Sequence, residues 1–262
     1  MQYARAILAL LAQLESVTHD PMRNAERAAD ALAAHPQAEL AVFPELYLGA
    51  YDLDSVDETA RPVACDELAL IARAAAAAST AVVVGFAEQG DDGRLYNSVA
   101  CIDRDGAPAG VYRKTQLFAR EVEVFQPGRE LRVIALAGVA VAPLICFDVE
   151  FPELARALAV SGAELLVTVS ANMEPYAVDH EIASRARALE NNLPHLYVNT
   201  VGTIGGFHFV GCSRSIGAGG EVLADTGGES SLQVVPVGAP GAADETIDYL
   251  RHLPRALPVV VG

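Results

Sequence analysis

Apolar and polar positions along this chain follow two alternating periods. Residues 4–11 are almost continuously apolar, and residues 24–34 then carry apolar side chains at helical spacing. A short unbroken apolar run predicts a buried strand, whereas a 3.6-residue period predicts a helix with one face turned inward. Residues 39–43 read as a short buried strand closed by Pro44, residues 65–78 as an Ala-rich helix, and residues 81–86 as a strand rich in β-branched side chains. A Gly and Asp turn at 90–93 leads to a strand at 95–102, and the Asp105-Gly106 pair turns the chain into 109–112. Those turn residues predict a hairpin or meander, in contrast to the crossovers before it.

The second half repeats the alternation. Residues 139–146 read as a strand, 152–161 as a helix with Pro152 in its first turn, and 165–169 as another strand. Residues 179–192 form the next predicted helix, with Ile182, Ala183, Ala186 and Leu189 on one face. Residues 195–200 and the stretch 209–222 supply further strands. A strand–helix rhythm mixed with hairpins predicts two mixed sheets with helices outside them, not a TIM barrel. No linker, charge block or low-complexity segment divides the 262 residues, and 225–243 reads as loops and a late strand of the same unit. The expectation is one domain over residues 1–262.

Composition narrows the classes. A net charge of −16 and a pI near 4.7 disfavour nucleic acid and anionic membranes as partners. The apolar run 6–14 follows Arg5 as a signal-peptide core would. Gln13 and Glu15 interrupt it, and no small-x-small site precedes His19-Asp20-Pro21, so a buried first strand is expected instead. No run approaches the ~20 apolar residues that span a bilayer. Cys65, Cys101, Cys146 and Cys212 are too widely spaced for a zinc site or a disulfide framework, so reduced thiols and a cytoplasmic location are expected. The six histidines show no H-x-x-x-H or H-E-x-x-H spacing, so no metal is expected. Gly205-Gly206 and Gly217–Gly220 lack the Lys-Ser/Thr of a phosphate loop and read as turns.

Three polar residues stand where predicted strands end, the place where α/β sheets present side chains to ligands. Glu45 follows one strand in FPELYLGAYD, Lys114 follows another in YRKTQLF, and Cys146 ends a third before FDVEFPELAR. The last is a strand–turn–helix step that can expose a nucleophile beside a backbone N–H, and a helix N-terminus favours a thiolate. Each also has a plain structural reading: a surface cap for Glu45, a solvated hairpin residue for Lys114, a core position for Cys146. Spacing alone does not choose between these readings.

FPEL at 43–46, YRKTQLF at 112–118 and ICFDVEFPELAR at 145–156 resemble the three signature segments of the carbon–nitrogen hydrolase (nitrilase) superfamily. YNS at 96–98, VFQPG at 124–128, RARALEN at 185–191 and VGCS at 210–213 follow in family order. The resemblance implies a four-layer αββα sandwich, dimers joined through outer helices, and a Glu–Lys–Cys triad of Glu45, Lys114 and Cys146. It implies no cofactor. Cys146 would attack a carbonyl carbon, Glu45 would move protons, and Lys114 with the backbone N–H of Phe147 would hold the oxyanion. Glu121 matches a fourth acidic residue beside the triad, with a surface Glu as its alternative.

Phe147-Asp148 replaces the Trp-Glu usual after the nucleophile in true nitrilases, and the chain has no Trp. The expected substrate is therefore a small carboxamide, hydrolysed to acid and ammonia. An N-carbamoyl hydrolase, an acyltransferase and an idle binding member are the alternatives. Asn172, Met173 and Glu174 are candidate pocket residues because ANMEPYAVDHEIASRARALENN resembles bacterial amidases. Glu150 either faces an amine-bearing substrate or caps the helix near Pro152. His180 is a second candidate base for Cys146. Arg187, Glu190 and Asn191 are expected in an ion-pair and capping role, and Cys65, Cys101 and Cys212 as small apolar residues.

Overall fold

The computed structural model describes residues 7–239, 249–250 and 252–253. The first half contains β1 (Leu8–Gln13), α1 (Pro21–Ala34), β2 (Leu40–Val42), α2 (Val56–Thr59), α3 (Asp66–Ala78), β3 (Ala81–Gln89), β4 (Leu95–Ile102) and β5 (Pro108–Arg113). After α4 (Glu121–Val124) come β6 (Ile134–Leu136), β7 (Val139–Ile145), a 3-10 turn (Cys146–Glu150), α5 (Pro152–Val160), β8 (Leu165–Ser170) and α6 (Ala177–Asn191). The chain continues through β9 (His195–Asn199), β10 (Val201–Ile204), β11 (Phe207–Val210), β12 (Arg214–Ile216), β13 (Val222–Asp225) and β14 (Ser231–Pro236). The expected elements are present, with residues 4–6 and 240–243 of two of them outside the described residues. The expected strand region 209–222 is cut into separate strands, with positive-φ Gly211 and Gly220 in its turns. Among the described residues no helix is long and apolar enough to cross a membrane.

Two mixed six-stranded sheets result, in the orders β14-β1-β2-β3-β4-β5 and β13-β12-β9-β8-β7-β6. In each, a parallel centre made by helical crossovers is flanked by antiparallel strands. Alternate residues of both sheets, such as Leu11, Val83, Val99, Val141, Val167 and Leu196, meet in one buried core between them. The opposite face of the first sheet packs through Leu10, Ala41 and Val84 on Ala28, Leu32 and Ile71 of α1 and α3. On the second sheet, Ala142, Leu144 and Leu166 pack on Ala155 and Leu158 of α5. Two sheets face to face with helices outside make the four-layer αββα sandwich. Local chemistry sets the helix starts: the Asp20 side chain accepts from the N–H of Arg23 ahead of Pro21. Cys65, expected as a helical apolar residue, instead caps α3, its sulfur accepting from the N–H of Leu68 at 3.5 Å. Cys101 lies in the core as expected.

The helix α6 departs from its sequence pattern. Ile182 and Leu189, expected on an inward face, are exposed together with Val178. The face that turns inward carries His180, Ser184, Arg187 and Asn191. The physical reason lies in the sheet beneath, where Thr168 and Ser170 of β8 and His195, Tyr197 and Asn199 of β9 point outward from the core. These buried groups need hydrogen-bond partners, and the polar helix face supplies them to His195, Tyr197 and Ser170. His195 shows the principle. Its Nδ1 lies 2.9 Å from the Ser184 carbonyl and its Nε2 2.8 Å from the Thr168 hydroxyl, which satisfies a neutral ring.

Burial pushes the pKa of His195 down to about 4 from an ordinary 6.5, against the Ser184 carbonyl, which favours the protonated form. Between those values the unfolded chain binds a proton that the native state refuses. Stability therefore rises with pH across that window and is lost as pH falls through it. The expected loss between pH 7 and pH 4 is at most roughly 3 kcal/mol from this one residue. Urea unfolding at several pH values is expected to show that component in the wild type and not in His195→Gln. An equal acid sensitivity in the two proteins would contradict it.

Candidate active site

Lys114 leaves the end of β5 and is completely buried. Its backbone is fixed on both sides: its N–H donates to the Asn97 carbonyl at 2.8 Å, and its carbonyl accepts from Gly128 at 2.7 Å. The ammonium reaches two buried carboxylates, donating to Glu45 Oε1 at 2.6 Å and Glu121 Oε1 at 2.9 Å. Glu45 stands in the loop after β2, which crosses β3 so closely at Gly85 that a Cβ there would meet the Pro44 carbonyl oxygen at 2.3 Å. Only glycine permits that approach. Leu46, just past the carboxylate, takes a left-handed φ of 49°. Glu45 accepts further bonds from Asn97 Nδ2 at 2.7 Å and the Ala171 N–H at 2.8 Å. Glu121 opens α4 and is held by the Tyr51 hydroxyl at 2.8 Å and the Phe118 N–H at 2.9 Å.

The charges explain how this cluster is balanced. Burial raises the Glu45 pKa and Glu121 raises it further, while Lys114 opposes both. Burial by itself would lower the Lys114 pKa, but Glu121 and Glu45 overcome it and hold the ammonium protonated. One buried cation thus faces two carboxylates, and burial drives Glu45 toward protonation.

Cys146 follows the last residue of β7 with φ 47°, a conformation that costs a non-glycine residue energy and turns the chain sharply. Burial raises its thiol pKa and Glu45 raises it further, against Lys114. This corrects the expectation of a helix-favoured thiolate: a 3-10 turn separates Cys146 from α5, and burial favours the neutral thiol. Asp148 locks the turn. Its carboxylate accepts from the Ile145 N–H at 3.0 Å, the Tyr112 hydroxyl at 2.7 Å and the Gln116 N–H at 2.9 Å, which ties the Cys146 turn to the segment carrying Lys114. Arg187 holds the same turn from α6 through its Nε bond to the Val149 carbonyl at 3.0 Å, and pairs with Glu190 as expected. Asn191 donates to the Arg187 carbonyl at 2.9 Å.

A narrow cleft of about 20 Å³ opens over Cys146. Tyr51, Phe118, Phe147, Met173 and Tyr176 give it aromatic and apolar walls, and Glu150, Asn172 and His180 supply its polar groups. Of the expected pocket residues, Phe147, Glu150, Asn172 and Met173 line it. Glu174 does not; it is exposed, and only its backbone is engaged, through an N–H bond to the His208 carbonyl at 3.1 Å. Glu150 does not cap α5, which has no side-chain cap; its Oε1 lies 3.3 Å from His180 Nε2. His180 turns its Nδ1 to the Tyr197 hydroxyl at 2.9 Å. A larger cleft of about 550 Å³ lies elsewhere, between Arg94, Arg113, Arg129 and Glu88, but it holds no nucleophile and its Arg113 and Glu88 pair with each other.

Asn97, Tyr51 and Asp148 were not among the expected site residues. Asn97 sits inside the Tyr96-Asn97-Ser98 segment and Asp148 two residues after Cys146, so both had a positional signal; Tyr51 had none. A family model described as carbon-nitrogen hydrolase matches residues 8–238. An (R)-stereoselective amidase of Pseudomonas sp is 37% identical over 92% of this chain and 89% of its own length. A nitrilase of Pyrococcus abyssi is 33% identical over 78% of this chain and 79% of its own. An amidase of Nesterenkonia AN1, from the nitrilase superfamily, superimposes with a TM-score of 0.84 at 28% identity, covering 96% of both chains. A variant of that amidase, with a TM-score of 0.80 at 28% identity over 96% of this chain and 95% of its own, carries the acetamide moiety of fluoroacetamide added covalently at its active site cysteine. With these matches along nearly its whole length, the chain belongs to the carbon–nitrogen hydrolase family and is a hydrolase of C–N bonds other than peptide bonds.

Proposed function

We propose that this enzyme is an amidase that hydrolyses a small carboxamide to its acid and ammonia, with Glu45, Lys114 and Cys146 as its catalytic triad. The observation that carries the reading is the buried Lys114 ammonium bridging Glu45 and Glu121 beside the Cys146 thiol. Glu45 takes the thiol proton as sulfur attacks the amide carbon, and a carboxylate whose pKa is raised by burial is a stronger base for that task. The carbonyl oxygen becomes an oxyanion held by Lys114 and the Phe147 N–H. Loss of one such donor costs about 10²–10³ in rate. Glu45 then returns the proton to the departing nitrogen, ammonia leaves, and a thioester remains on Cys146. Water, deprotonated by Glu45, attacks the thioester and releases the acid and the thiol. Glu121 keeps Lys114 in place. Every proton is accounted for by side chains, and the cycle calls for no cofactor.

The narrow aromatic cleft favours a small acyl group, and its carboxylate favours a cation. With Glu150 on the wall and not spent on capping a helix, an amide bearing a protonated amine is the substrate class we propose. Four free cysteines support a reducing compartment, the cytoplasm. A single inter-sheet core supports one domain. The apolar stripe of Val178, Ile182 and Leu189 on α6, with Val160 of α5, supports a homodimer joined through these outer helices.

Ammonia release from a panel of neutral amides, aminoamides, N-carbamoyl amino acids and nitriles tests the chemistry. Aminoamides are expected to react fastest, Cys146→Ala to abolish release, and Glu150→Gln to lower kcat/KM on aminoamides about tenfold relative to neutral amides. Release confined to carbamoyl compounds would replace the amide reading, and an unchanged ratio in Glu150→Gln would remove the amine preference. Light scattering tests the assembly: the wild type is expected at twice the chain mass and Ile182→Glu at the mass of one chain. A monomeric wild type would refute the dimer.

A further inference from the structure

The mechanism so far leaves a buried polar chain unused. The parallel register pairs Ile145 of β7 with Val169 of β8, so Cys146, the first residue past β7, follows beside Ser170, the last residue of β8. Ser170 is completely buried, and its hydroxyl acts on the Cys146 thiol as a hydrogen-bond partner that favours the thiolate. Behind it the Tyr197 hydroxyl donates to Ser170 Oγ at 3.1 Å. Behind Tyr197 stands His180, with Nδ1 2.9 Å from the Tyr197 oxygen and Nε2 3.3 Å from Glu150 in the cleft wall. An apolar contact between β8 and α6 would pack as well as this one, so the polar groups call for a reason beyond packing.

We propose that Ser170 is a catalytic residue that donates a hydrogen bond from its hydroxyl to the Cys146 thiolate, and that Tyr197, held by His180, is the positioning residue that keeps Ser170 turned toward the sulfur. The inference rests on Cys146 being the nucleophile. Donor counting fixes the direction of the chain. A thiolate only accepts, so Ser170 gives it the one O–H it has. Ser170 Oγ is then free to accept, and the Tyr197 O–H fills it. Tyr197 has no second proton, so its oxygen accepts from His180, whose Nδ1 lies 2.9 Å away and whose Nε2 faces the Glu150 carboxylate at 3.3 Å; this direction needs a proton on both ring nitrogens. A donor to sulfur has a clear task here, because Glu45 and Glu121 both repel the negative charge that attack requires while Lys114 alone opposes them. Ser170 stabilises the thiolate without adding a charge. It also fixes the direction from which sulfur approaches the substrate carbon.

The test is the rate of Cys146 alkylation by iodoacetamide as a function of pH, measured with kcat and KM for Ser170→Ala, Tyr197→Phe and the double variant. A hydrogen bond to a charged group predicts about a tenfold fall in alkylation rate and kcat for Ser170→Ala, with KM within about twofold of wild type. The alkylation profile is expected to move to higher pH. Tyr197→Phe should shift the same quantities in the same direction by a smaller factor. The double variant should be no slower than Ser170→Ala, because Tyr197 acts only through Ser170. A folded Ser170→Ala enzyme with unchanged alkylation and kcat would overturn the proposal, as would additive effects in the double variant. Tyr197→Phe removes one oxygen and keeps the ring, so it remains decisive if Ser170→Ala does not fold; an unchanged profile in it would overturn the positioning role. Full activity in Cys146→Ala would instead refute the nucleophile assignment on which the proposal stands.

Discussion

The fully buried ammonium of Lys114 is the constraint around which this molecule is arranged. Removing an ion from water costs several kcal/mol even after the protein relaxes, and only close, well-oriented counter-charges offset it. Lys114 has two, Glu45 and Glu121, and neither is held by Lys114 alone. Glu45 is fixed by Asn97 of the first sheet and by the Ala171 N–H just past β8 of the second, while Glu121 is fixed by Tyr51 and by its own helix start. The cation therefore ties together segments from both sheets at the edge where their strands end. Cys146 enters that same edge on a strained backbone, and the polar cluster meets its thiol there.

The supporting layers divide the work unevenly. The first sheet rests on α1 and α3 through apolar contacts that need no precise geometry. The second sheet rests on α6 through oriented hydrogen bonds, between His195 and the Ser184 carbonyl and between His180 and the Tyr197 hydroxyl. Hydrogen bonds fix direction where apolar packing fixes only distance. It is the second sheet that carries Cys146, and Arg187 of α6 reaches over to the turn that follows it.

Much of this was legible in the order of the residues. Short apolar runs marked the central strands, and Gly and Asp turns marked the β3–β4–β5 meander. The three signature segments placed Glu45, Lys114 and Cys146, whereas the residues by themselves left a surface cap open for Glu45 and a solvated hairpin position open for Lys114. What failed was inference from one face of one element. In α6 the large apolar residues Ile182 and Leu189 face out while Ala183 and a set of polar residues face in, because a buried polar sheet face cannot be seen from the helix that covers it. Glu174 has the right neighbours in sequence but points away, since adjacent residues in a turn diverge. Tyr51 could not be foreseen at all: its hydroxyl matters only because folding brings it to a glutamate 70 positions along the chain. Contacts that depend on convergence of distant loops leave no periodic trace.

The account's central claim is that Lys114 holds its two carboxylates together as one buried unit, and equilibrium unfolding of Lys114→Met alone and combined with Glu121→Gln tests it most directly. Removing the cation from a buried pair costs about 3–5 kcal/mol, and neutralising Glu121 is expected to recover a large part of that loss. A Lys114→Met protein destabilised by less than about 1 kcal/mol, or one that Glu121→Gln weakens further, would contradict the claim that the cluster is built around this ion.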